Sequence, residues 1–194
     1  VNFFAHYRTV FGLSKGDDIM DQSIYHGRYT ANIKGDFVVF LIGSRFGIKD
    51  LLRARWLGDA MGAMQRELNA NPTSGFLGGE NFFRVFPIET VLISYWRSFD
   101  DLERYSRNRD NEHYPAWIRF YKEVGLNSDI GIWHETYMVH ANEYECIYGN
   151  LPKFGLGNAK GVQHINIKDS VHARERSGRT DEPETLEAPE FVMS

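Results

Sequence analysis

The sequence predicts a single α+β domain with its core elements in the order β-α-β-β-α-β, the ferredoxin-like arrangement, and an extension at each end. Three observations carry this. The run Phe37-Val38-Val39-Phe40-Leu41-Ile42 is apolar at every position, as in a strand covered on both faces. Within residues 49–70, Leu57, Met61, Met64 and Leu68 recur three or four apart, one face of a helix. Residues 130–139 are aromatic and β-branched with period-two alternation, which reads as a second core strand.

The remaining elements fall between these. Ser44, Arg45 and Phe46 carry the first strand to its end, and Gly47 breaks it. Trp56 and Leu52 extend the helical stripe, and Asn71-Pro72-Thr73 ends it. Residues 75–86 form the next strand, with Gly78-Gly79 marking a bulge. A turn at Pro87-Ile88-Glu89 returns the chain along 90–96, so these two strands make a hairpin. Ser98 is an N-cap followed by acidic first-turn residues Asp100 and Asp101, and the helix runs to about Arg107. A further helix begins at His113 and is stopped by Gly125.

The expected organisation is therefore an N-terminal extension over 1–28, a core domain over 29–140, a wrapping extension over 141–167 rich in Gly and Asn, and a disordered, charged tail over 168–194. Helices on one face of the sheet leave the other to be covered. The expected cover is a second copy of the chain, in a homodimer.

Composition narrows the function. With 22 basic and 26 acidic residues in mixed order, no basic face for nucleic acid is expected. The single cysteine, Cys146, excludes an intramolecular disulfide and a multi-cysteine metal site. No apolar run approaches the length of a membrane span, and the expected location is cytoplasmic. There is no phosphate-binding loop and no dinucleotide-binding glycine motif.

The candidate site residues cluster on the last core strand. Pleating puts Trp133, Glu135 and Tyr137 on one face and His134, Thr136 and Met138 on the other. His134 can act as a general base or orient a substrate oxygen; the alternative is a core histidine bonded to a neighbouring strand or to Glu145. Glu135 and Tyr137 are candidate catalytic partners, against readings as an edge charge and simple packing. Trp96, at a strand end, can wall a pocket with Phe40. Arg45 can pair with Glu135, grip an anion, or form a strand-end salt bridge. Tyr148 can line a lid contributed by the extension.

Residues 29–157 resemble a family of bacterial and fungal monooxygenase-like proteins. The resemblance is carried by Gly27-Arg28-Tyr29-Thr30-Ala31, the strand through Gly43, Gly75-Phe76-Leu77-Gly78, the Tyr95-Trp96-Arg97-Ser98-Phe99-Asp100-Asp101-Leu102 segment, and above all the stretch 131–157. It implies the dimeric α/β-barrel group, which includes antibiotic-biosynthesis monooxygenases, haem-degrading monooxygenases and haem-dependent aldoxime dehydratases. The expected activity is oxidation of a small apolar, secondary-metabolite substrate in a dry pocket between sheet and helices, without a cofactor. Trp96-Arg97-Ser98 followed by Tyr105 and His113 is similar to the pattern of haem-degrading members, so the alternative is a haem enzyme with His113, or His134, on iron. A third reading is a non-enzymatic protein that shields an apolar ligand.

Overall fold

The structure is a computed structural model that describes residues 23–125 and 128–167. The expected tail and most of the expected N-terminal extension lie outside the described residues. The elements in order are β1 (Tyr25–Asn32), β2 (Phe37–Phe46), α1 (Leu51–Ala70), β3 (Phe76–Arg84), β4 (Ile88–Trp96), α2 (Phe99–Arg107), α3 (His113–Glu123), β5 (Gly131–Val139), β6 (Tyr148–Leu151) and β7 (Gln163–Asn166). The core sheet has the order β3-β4-β2-β5, with every neighbouring pair antiparallel. That is ferredoxin-like topology, with the twice-covered β2 inside and β5 on an edge. The sheet is open and does not close into a barrel.

Alternation divides the sheet residues between two faces. Val38, Trp96 and Leu102 pack with Leu68 and Phe76 on the helix side, and Phe46, Ile88 and Ala54 pack there with Trp56, Phe120 and Val124. Leu52 departs from the expected stripe: it is 88% exposed, in the first turn of α1 beyond the end of the sheet. The bulge falls between Phe76 and Gly78, where the β3–β4 register shifts. The N-cap is made as expected: the Asp101 backbone N–H donates to Ser98 Oγ at 3.2 Å. Asp101, 3% exposed, also takes Arg97 through two bonds and Arg104 through one. Gly75 is required here. Its φ is +82°, and a Cβ would lie 2.4 Å from the Asp101 carboxyl carbon.

Part of the other face is covered by the chain itself. β1 pairs with β6 and β7 in a separate three-stranded sheet, so the strand that straddles residue 28 belongs with the wrapping extension. The extension forms a strap. Leu156 and Ala159 pack with Ala31 and Phe37, flanked by Val39, Tyr95, Leu77 and Val139. Backbone N–H groups of the turn Gly155–Asn158 are tied to side chains beneath: Gly155 donates to Glu80 at 3.1 Å and Gly157 to Tyr148 Oη at 3.1 Å. Beyond the strap, Leu41, Val91, Ile93, Phe82, Trp133 and Tyr137 share the still-open end of this face, as their registers require. Trp133 lies against Gly43, where a Cβ would approach its Nε1 to 2.7 Å.

Candidate active site

On the helix side, the fold lines up five rings. The imidazole of His134 lies 5.7 Å from the ring of Phe40, tilted 42°. Phe40 packs against the cluster that holds Trp96. Trp96 is tilted against Tyr105 at 5.8 Å, and Tyr105 against His113 at 6.4 Å. The row therefore runs from the edge strand, under α2, to the first residue of α3, with a histidine at each end.

The middle of the row is closed packing. Trp96 is 2% exposed, and its Nε1 donates to Ser94 Oγ at 3.1 Å. Ser94 Oγ donates in turn to the Phe40 carbonyl at 3.0 Å. This satisfies the buried indole N–H and ties β4 to the backbone of the residue whose ring faces His134. Trp96 is a core residue here rather than a pocket wall.

The two ends differ. His134 is exposed, with apolar Phe40 beside it and Ile132, Thr136 and Met138 on the same strand face. Among the described residues nothing hydrogen-bonds its ring. His113 is half-buried, and its Nδ1 lies 3.1 Å from the Ser106 carbonyl. A carbonyl only accepts, so Nδ1 carries the proton and Nε2 holds the lone pair. Burial holds this imidazole below its ordinary pKa, which favours the neutral form. Around it the environment is polar. Tyr105 Oη donates to Glu67 at 2.7 Å, and the Glu112 backbone N–H donates to the same carboxylate oxygen at 3.1 Å. An adjoining cavity of about 200 Å³ is lined by Glu67, Asn71, Asn108, Asn111 and Tyr105 among others.

These facts bear on haem. The His113 tautomer suits a metal ligand, but a porphyrin needs an apolar slot. The carboxylate, amide and phenol groups beside His113 do not provide one. At His134 the surroundings are apolar, but no group among the described residues fixes the tautomer. Neither histidine combines both features among the described residues. Among the described residues no three His, Cys, Asp or Glu side chains converge as a metal site.

The strand separates the remaining candidates from His134. Glu135 and Tyr137 face the strap side, where Tyr137 Oη donates to Glu135 at 2.6 Å. That bond, with the carboxylate's charge, holds the Tyr137 phenol above its ordinary pKa. Arg45 does not reach Glu135; it pairs with Glu89 at 3.5 Å, because the two sit opposite each other in the β2–β4 register. Tyr148 lies under the strap, away from the row, with its hydroxyl accepting from Gly157. Cys146 lies there too, its Sγ 3.3 Å from the Ala31 backbone N–H. Two groups escaped the sequence reading. Ser94 had a signal, a polar residue two positions before Trp96 on a core-facing strand. Glu67 had none, since its partner Tyr105 is 38 residues away.

A ferredoxin-like sheet with a histidine on its edge strand defines only a class of fold. Membership is settled by sequence: residues 37–156 match the model of the Monooxygenase af470-like family, and the chain belongs to that family. The match contains the stretch from β5 through most of the strap, which carried the resemblance. No curated protein sequence matches. Among solved structures, a Nitrosomonas europaea protein named for antibiotic biosynthesis monooxygenases is 11% identical, covers 56% of this chain and 93% of its own, and has a TM-score of 0.39. An aldoxime dehydratase is 13% identical and covers 81% of this chain, with a TM-score of 0.47; the matched region is 44% of that enzyme. A dimeric protein of unknown function and ferredoxin-like fold from Bacteroides fragilis is 14% identical, covers 52% of this chain and 96% of its own, and has a TM-score of 0.32. At these identities none of them assigns a reaction, substrate or assembly to this chain.

Proposed function

We propose that this protein is a monooxygenase that oxidises a small apolar substrate held against the helix-side flank of β5, with His134 as the base. The observation that supports the reading is the imidazole of His134, exposed beside the Phe40 ring at 5.7 Å and free of hydrogen bonds among the described residues. Such a group is available to a substrate proton, and the neighbouring ring and Met138 offer apolar contact to the substrate body.

The chemistry that needs only these parts is oxidation of an activated methylene between aromatic rings. His134 takes one methylene proton. The resulting carbanion reacts with dioxygen and, after protonation, forms a carbon hydroperoxide. Loss of the second proton with O–O cleavage gives the ketone and water. The net change converts one methylene and one dioxygen into one ketone and one water, so one oxygen atom enters the product and the other leaves reduced. The substrate supplies the electrons and the chain supplies the base and apolar contact from Phe40 and Met138.

The open end of the strap-side face completes the proposal. Trp133, Phe82 and Tyr137 are partly exposed there, beside the Tyr137–Glu135 pair. A second copy packed sheet to sheet would cover them, and the active form in this reading is a homodimer. The test is dioxygen uptake with anthrone as the probe substrate. Turnover by the wild-type chain, with the purified protein showing no haem absorption, supports the reading. Turnover only after haem is added counts against it.

A further inference from the structure

At the end of the strands opposite the strap, two neighbouring loops project apolar side chains into solvent. Before α1, Ile48 is 80% exposed, and Leu52 in its first turn is 88% exposed. At the tip of the β3–β4 hairpin, Val85 and Phe86 are also exposed, Phe86 at 87%. Residues next to these loops, Leu51 and Ala54 on α1 and Phe46, Phe83 and Ile88 on the strands, line one small cleft. The tips of both loops lie beyond the last paired residues, Phe46 with Ile88 and Arg84 with Glu89.

Cations surround these tips in excess. Arg45 and Arg84 share a single carboxylate, Glu89. Arg53 donates to a neutral acceptor, the Glu123 carbonyl. Arg55 is exposed and has no salt-bridge partner among the described residues. Lys49 is paired with Asp129, and Arg119 with Glu123. Asp50, between Ile48 and Leu52, and Asp59 on α1 add negative charge here, but Arg45, Arg84, Arg53, Arg55, Lys49 and Arg119 still outnumber Glu89, Asp129, Glu123, Asp50 and Asp59, in a chain whose overall charge is −4.

We infer that this end docks on an anionic lipid surface, with Leu52 and Phe86 entering the headgroup boundary and the arginines contacting lipid phosphates. Single side chains projecting from two loops do not form a flat face that a folded partner could match. A fluid interface accommodates them one by one, and the cationic collar provides the charge complement. Nothing in this inference depends on the proposed oxidation.

The experiment is co-sedimentation of the full chain with vesicles of phosphatidylcholine alone or phosphatidylcholine mixed with phosphatidylglycerol. Binding is expected to the mixed vesicles, and to weaken as salt is raised. Phe86→Ser should weaken it by about tenfold or more, the loss of one inserted aromatic side chain. Arg55→Gln should weaken it by about fivefold, one cation near the surface. Both side chains are exposed, and circular dichroism confirms that each variant is folded. Absence of binding to mixed vesicles would overturn the inference, as would equal binding to phosphatidylcholine alone. So would unchanged binding in both variants. If Phe86→Ser instead dissociates an oligomer in sedimentation velocity and vesicles bind neither form, the patch belongs to a second copy and the inference fails.

Discussion

The rings of His134 and Phe40 meet diagonally across the β2–β5 pair, where the register sets His134 opposite Ile42 and Phe40 opposite Thr136. The contact puts the edge-strand imidazole beside an apolar ring. Phe40 is itself held from behind, because its carbonyl accepts from Ser94, which in turn accepts from Trp96. A substitution three side chains away from His134 therefore acts through named bonds.

The first prediction concerns that chain of bonds. Ser94→Ala leaves the buried Trp96 indole N–H without an acceptor and frees the Phe40 carbonyl. The expected cost is about 1–3 kcal/mol. Urea denaturation of the variant against the wild type measures it. A change below about 0.5 kcal/mol would mean that neither bond matters to the folded state.

Asp101 gives the second. Its carboxylate is held below its ordinary pKa, first by the Arg97 guanidinium and then by Arg104 and Ser98. A folded-state pKa below the unfolded one contributes stability above the ordinary Asp range, and that stability is lost as pH falls through the lower, folded value. Asp101→Asn should cost about 2 kcal/mol at neutral pH, with the gap narrowing as the wild type is acidified. Denaturation curves at a series of pH values from neutral to acid follow it. A constant gap would show that charge is not the cause.

Glu80 behaves in the opposite sense. Burial under the strap raises its pKa above the ordinary 4.5, although the Gly155 N–H and the Asn158 side chain pull it down. A raised folded-state pKa gives stability that is complete below the ordinary Glu range and is lost as pH rises through the folded value. Glu80→Gln keeps an oxygen for the Gly155 N–H and removes the buried charge. The variant is expected to gain on the wild type as pH rises to neutral and to lose that advantage in acid. Thermal melting at both ends of this range decides it; a variant less stable at neutral pH would contradict the assignment.

Assembly supplies the fourth. In the proposed homodimer the open end of the strap-side face is the interface, so Trp133→Glu would place a charge against apolar surface of the partner. Sedimentation velocity at micromolar concentration should show the wild type as a dimer and the variant shifted to monomer. A monomeric wild type would remove the sheet-to-sheet arrangement.

Much of this architecture is written locally in the chain. The apolar run through β2 places it inside the sheet, Ser98 caps its helix with Asp101, and alternation sorts His134 from Glu135 onto opposite faces. The strap is harder to read. Its strands, four residues each at Tyr148–Leu151 and Gln163–Asn166, are stabilised by pairing with β1 more than 115 positions earlier, and no local pattern encodes such a partner. The same holds for Arg45. Its pairing with Glu89 follows from the β2–β4 register, which no single stretch of the chain encodes. Leu52 has the helical spacing of a stripe residue; its exposure follows from where the sheet ends.

In the proposed reaction, base catalysis rests on His134. Dioxygen uptake with anthrone should fall by about 10²-fold or more in His134→Gln, the usual loss for a general base. Because the side chain is exposed, the variant's stability should stay within about 0.5 kcal/mol of the wild type. A folded His134→Gln chain that consumes dioxygen with anthrone at the wild-type rate would contradict the assignment of His134 as the base.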